Sequence, residues 1–103
     1  MKEYNKLVRD NIPAIINKKG QKAVTKRLDD AEYRFQLERK LQEEVDEYLA
    51  DKNGDELADI LEVVYALGEA LQLTPEMLEM LRRKKAEERG VFKDRVLLVG
   101  VEE

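Results

Sequence analysis

Glu43-Glu44-Val45-Asp46-Glu47 and Glu56-Leu57-Ala58-Asp59 are the residues of this chain best spaced for chemistry. Glu44 and Glu47 stand three residues apart, as do Glu56 and Asp59, so within a helix each pair shares one face about 4.5 Å apart along the axis. Two carboxylates so placed repel each other unless a cation sits between them. The pairs are also symmetric about Lys52-Asn53-Gly54-Asp55, a turn sequence. Folding the chain back there sets Glu47 opposite Glu56 and Glu44 opposite Asp59. Four oxygen ligands at two helical levels could hold a hard divalent cation while leaving positions open for water or phosphate. Against this stands the ordinary solvated surface, because 23 acidic residues in 103 make such spacings common.

Composition narrows the chemistry further. The chain has neither cysteine nor histidine. Thiolate and imidazole ligands, disulfides and Ser-His or Cys-His catalysis are therefore excluded. Any bound metal must be held by oxygen, which points to Mg²⁺, or Mn²⁺, rather than zinc. A net charge of -4 argues against a nucleic-acid polymer as the main partner. No apolar run approaches membrane-spanning length and no signal-peptide core opens the chain, so a cytoplasmic protein away from membranes is expected.

The elements that must position the carboxylates follow from caps and periodicity. Residues 1–103 are expected to form a single domain that is 43% hydrophobic and 41% charged, a profile of amphipathic helices. Pro13, with Asp10 or Asn11 as cap, opens a short helix that Gly20 ends. Asp29 with Glu32 forms a capping-box pattern for a helix to about Asp51, with Leu37, Leu41, Val45 and Tyr48 at helical spacing. Asp55 is a possible cap for a helix from about Glu56 to Gln72, striped by Leu57, Ile60, Leu61, Val64, Leu67 and Leu71. Thr74-Pro75 starts a third long helix that stops at Gly90. On these wheels Glu44 and Glu47 fall roughly 60° and 120° from the apolar stripe, which places the acids at the rim of the helix contact. Val96–Val101 reads as a short buried strand able to pair with Ala23-Val24-Thr25. The expected fold is mainly α: an antiparallel helical hairpin with flanking helices forming a bundle, plus at most one short two-stranded β ribbon.

The pattern Glu43-Glu44-x-x-Glu47 with Glu56-x-x-Asp59 resembles the EExxE…ExxD signature of the all-α NTP pyrophosphohydrolases, the superfamily of MazG-like and phosphoribosyl-ATP pyrophosphohydrolase-like enzymes. Tyr4-Asn5-Lys6-Leu7-Val8-Arg9-Asp10-Asn11-Ile12-Pro13 looks like the opening of a small stand-alone branch, and Arg82–Phe92 is similar to its closing segment. Two departures stand out. Only eight residues separate Glu47 from Glu56, and Val91 replaces a glycine common after the first. The resemblance implies that Glu44, Glu47, Glu56 and Asp59 bind Mg²⁺, with Glu43 assisting from the same helix. Beside Glu44, Glu43 is also a candidate proton acceptor, with a plain surface role as the alternative. It implies cleavage of a nucleoside triphosphate between the α and β phosphates, for removal of non-standard nucleotides. Phosphates would be met by Lys6, Arg9, Lys85 and Arg89, with Lys84 and Arg95 as further candidates. Tyr4, Tyr33 and Phe92 could stack on a base, though each is more often core. Family members are homodimers or homotetramers. The alternatives are a phosphoribosyl-ATP pyrophosphohydrolase of histidine biosynthesis and a non-catalytic helical interaction module with a vestigial metal site.

Overall fold

The computed structural model describes residues 1–102. Four helices form, α1 Ile12–Lys18, α2 Asp30–Asp51, α3 Gly54–Ala70 and α4 Pro75–Arg89, and no strand is present among the described residues. The main packing is α2 against α3, an antiparallel hairpin, with α4 touching α3. None of these helices is long and apolar enough to cross a membrane.

Each boundary has a local cause. Asp29 accepts a hydrogen bond from Glu32 N at 2.8 Å and so caps α2. At its other end Lys52 turns into the left-handed region at φ 51° and donates its N–H to Tyr48 O at 2.7 Å. Asn53, not Asp55, caps α3: its Oδ1 accepts from Glu56 N at 3.0 Å, and the helix begins at Gly54. Asn53 wins because the αL residue ahead of it closes the reversal in two residues, which places its side chain under the new helix. The hairpin is accordingly tight. Thr74 Oγ1 caps α4 by accepting from Met77 N at 3.1 Å, and Gly90, at φ 84°, ends it. Gly68 is buried where α3 meets α4, since a Cβ there would lie 3.4 Å from Leu73 O. Arg34 donates to Ala70 O at 2.9 Å, which places a cation at the carbonyl end of α3.

The seam between α2 and α3 differs from the expected one. Leu37 (2% exposed) and Val63 are the buried apolar residues, and Glu44 is buried with them. Along α2 the seam follows Leu37, Leu41, Glu44 and Tyr48, an i, i+4, i+7, i+11 row in which a carboxylate takes a core position. Along α3 Val63 is buried, and Glu56, Asp59, Ile60, Val64 and Leu67 are half-buried around it. Leu57, Leu61 and Leu71, half of the expected stripe, are exposed instead. Of the four acids only Glu44 enters the contact itself; Glu56 and Asp59 are half-buried and Glu47 is exposed, so these three lie at its rim as expected.

The β ribbon does not form. Residues 23–25 and 96–101 carry no strand, and Val24, Val96, Leu97, Leu98, Val99 and Val101 are exposed. An isolated strand pair is marginal in water unless an apolar surface covers it, and these side chains are left uncovered. Tyr4, Tyr33 and Phe92, read as candidate stacking or core residues, are all exposed.

Truncating the seam should be costly and truncating the tail should not. Leu37→Ala is expected to lose about 2–4 kcal/mol in denaturant unfolding, whereas Phe92→Ala should stay within about 0.5 kcal/mol of the parent.

Candidate metal centre

The hairpin delivers the four carboxylates to one place. Glu44 and Glu47 from α2 and Glu56 and Asp59 from α3 each offer an oxygen, and those oxygens lie within 4.8 Å of one another. Two oxygens on a single Mg²⁺ are at most about 4.2 Å apart, and on Ca²⁺ about 5 Å. Side-chain adjustment of about half an ångström thus closes the group on the smaller ion.

Burial makes the cluster more than a charged surface. Glu44 is 6% exposed, and its Oε2 is buried without a hydrogen-bond partner. Glu56 Oε2 is buried and unpartnered as well. A carboxylate oxygen in that condition costs free energy that a protein seldom tolerates without a ligand to use it. The donor set, all carboxylate and partly desolvated, fits a hard divalent cation.

Electrostatics follow from this geometry. Burial pushes the Glu44 carboxyl above the ordinary glutamate range; the Glu47 charge adds to the rise, and Lys40 opposes it. Glu56 is raised first by burial and then by the charges of Asp51, Asp59 and Glu44. Glu43 behaves oppositely. Burial alone would raise it, but hydrogen bonds and charge from Lys6 and Lys40 outweigh that and hold it low. The cluster is therefore poised to take up positive charge, and Glu43 beside it is already satisfied.

Two expected residues join the centre from the N-terminal segment. Lys6 Nζ donates to Glu43 Oε1 at 3.2 Å, and Arg9 Nη2 donates to Asp59 Oδ1 at 2.8 Å. Lys85 and Arg89 make no ion pair with the cluster among the described residues, and both are exposed on α4. Lys40 and Glu62 escaped the sequence reading. Lys40 Nζ lies 3.3 Å from Glu44 Oε1 and 3.4 Å from Glu43 Oε2, a pairing its place four residues before Glu44 foreshadows. Glu62, one turn beyond Asp59, lies 3.8 Å from Arg9 Nη1. A shallow depression of about 540 Å³ opens along the outer face of α2, lined by Arg39, Gln42, Glu43, Asp46, Glu47 and Ala50. It shares Glu43 and Glu47 with the acidic group but is not the cluster itself.

Comparison with protein-family models, with curated proteins and with solved structures finds no match.

The raised carboxyls carry a stability consequence with a definite sign. A glutamate raised in the folded state contributes stability fully present below its unfolded pKa and lost as pH rises through the folded value. Glu44→Gln, which removes that charge, should raise the Tm of chelator-treated protein by a few degrees at pH 7. The difference should fade as the pH falls toward about 4, where Glu44 is itself protonated. Calorimetric melting across that range checks both statements.

Proposed function

We propose that this chain is a divalent-cation-dependent nucleotide pyrophosphohydrolase, cleaving a nucleoside triphosphate between the α and β phosphates to monophosphate and pyrophosphate. The observation that carries the reading is the convergence of Glu44, which has a buried, unpartnered oxygen, with Glu47, Glu56 and Asp59. The motif resemblance supplies the reaction. Mg²⁺ is the proposed resident ion, with Mn²⁺ as a substitute, and clearance of non-standard nucleotides is the proposed role.

Glu44, Glu47, Glu56 and Asp59 would hold the ion. When bound, it neutralises phosphate charge and lowers the pKa of a coordinated water, so no histidine is required. The chain's own residues supply the rest. Lys6 and Arg9 are long cations beside the cluster, able to move from carboxylate to phosphate oxygens. Glu43, ionised because Lys6 and Lys40 hold it low, can accept a proton; departure of Lys6 toward phosphate makes it a stronger base.

The same reading includes a homodimer or homotetramer. A compact monomer of 12.0 kDa exposes about 6,000 Å², and this chain exposes 9761 Å² with extents of 62 × 31 × 24 Å. Leu57, Leu61 and Tyr65 form an exposed i, i+4, i+8 row on α3, an apolar stripe that another copy would cover. Such assembly could also bring Lys85 and Arg89 of one copy to the cluster of another.

Two measurements test this. Purified protein with Mg²⁺ should release pyrophosphate from at least one natural or modified nucleoside triphosphate, or from phosphoribosyl-ATP. Chelator should abolish the release, and Glu44→Gln and Asp59→Asn should each lower it by more than the 10–100-fold typical of losing an outer-shell partner. Release of single phosphate would contradict the reading. Sedimentation should give the mass of two or four chains, and Leu61→Lys should shift it toward one.

A further inference from the structure

The four clustered carboxylates meet two cations from the chain itself, and those two are held very differently. Lys40 reaches Glu44 from four residues back on the same helix, and its side chain is mostly buried. Arg9 comes from the irregular segment ahead of α1, and its side chain is half exposed. No backbone hydrogen bond ties residues 1–9 to α2 or α3 among the described residues. Ion pairs instead span both helices, from Lys6 to Glu43 on α2 and from Arg9 to Asp59 on α3. Glu62 also lies within 3.8 Å of the Arg9 guanidinium, on the next turn of α3.

We propose that Arg9 is the exchangeable counter-ion of the acidic cluster, competing with the divalent cation for Asp59. The inference rests on the metal reading of the cluster. A guanidinium at Asp59 and a doubly charged ion among the same carboxylates repel each other, so loading the ion weakens or breaks the Arg9–Asp59 pair. Glu62 offers the displaced guanidinium an alternative partner without leaving α3. Exchange also leaves Arg9 able to accept an anion beside the loaded ion. A bare cation must therefore displace Arg9, whereas a cation arriving with a polyphosphate supplies the displaced side chain with a new partner. Arg9 thus lowers affinity for the free ion while standing ready for the anion that accompanies it.

The test is Mn²⁺ binding to the full chain without nucleotide, read from the EPR signal of free Mn²⁺. Arg9→Gln should bind Mn²⁺ roughly three- to tenfold more tightly than the parent, the scale of repulsion between nearby charges in water. Arg9→Lys, which keeps the charge, should fall between them. Lys6→Gln, whose partner Glu43 lies outside the four, should change affinity less than Arg9→Gln. Binding by Arg9→Gln that equals or falls below the parent's would overturn the proposal, and so would equal tightening by Lys6→Gln. Glu44→Gln separates this failure from that of the underlying reading. If the parent binds no Mn²⁺, or Glu44→Gln binds it equally well, the metal site itself is wrong and the proposal goes with it.

Discussion

Everything in this fold that bears on chemistry depends on one unfavourable placement, a glutamate in the seam between two packed helices. Glu44 takes a position on α2 that Leu37 and Leu41 lead up to, where an apolar side chain would pack without cost. Lys40 satisfies one of its oxygens and nothing satisfies the other. Opposite it, α3 presents Glu56 and Asp59 where leucines would have made a better bundle. A hairpin built for stability alone would not bury one carboxylate in its contact and converge three more on it from the rim. The arrangement is reasonable if a cation completes it, because one ion then relieves both the desolvation and the repulsion.

The short reversal makes this convergence possible. Lys52 in the left-handed region and Asn53 as cap return the chain in two residues, which fixes the register of Glu47 against Glu56 and Glu44 against Asp59. A longer loop would let the helices slide by a turn and separate the pairs. The N-terminal segment is laid over the result by Lys6 and Arg9. Charge thus organises what a thin apolar core does not, and the exposed leucines of α3 show how little of the chain's apolar surface one copy covers.

Much of this was legible in the sequence because it is local. Asp29 with Glu32, Thr74 with Pro75, and Gly90 announce their helix ends through capping chemistry that needs no tertiary context. The facing acid pairs were legible too, because a short turn and a three-residue spacing leave little freedom. Which stripe of α3 faces α2 was not. Leu57, Leu61 and Leu71 outbid Glu56 and Asp59 on any hydropathy argument, yet these leucines are exposed while the two acids are half-buried. The tail from Val96 to Val101 misled for a related reason: apolar content implies burial only when something is there to bury against. Asn53 displaced Asp55 as cap through the backbone turn at Lys52, which residue type alone does not announce. Lys40 was readable at four residues from Glu44 but drew no notice among so many charged neighbours.

If the four carboxylates converge to hold a cation, anomalous diffraction from crystals grown with Mn²⁺ should reveal it. A single strong anomalous peak, or a close pair, is expected between Glu44, Glu47, Glu56 and Asp59, with Glu44 Oε2 among the ligands. An ordered cluster with no peak at saturating Mn²⁺, its carboxylates bridged by protons or by lysines, would contradict it.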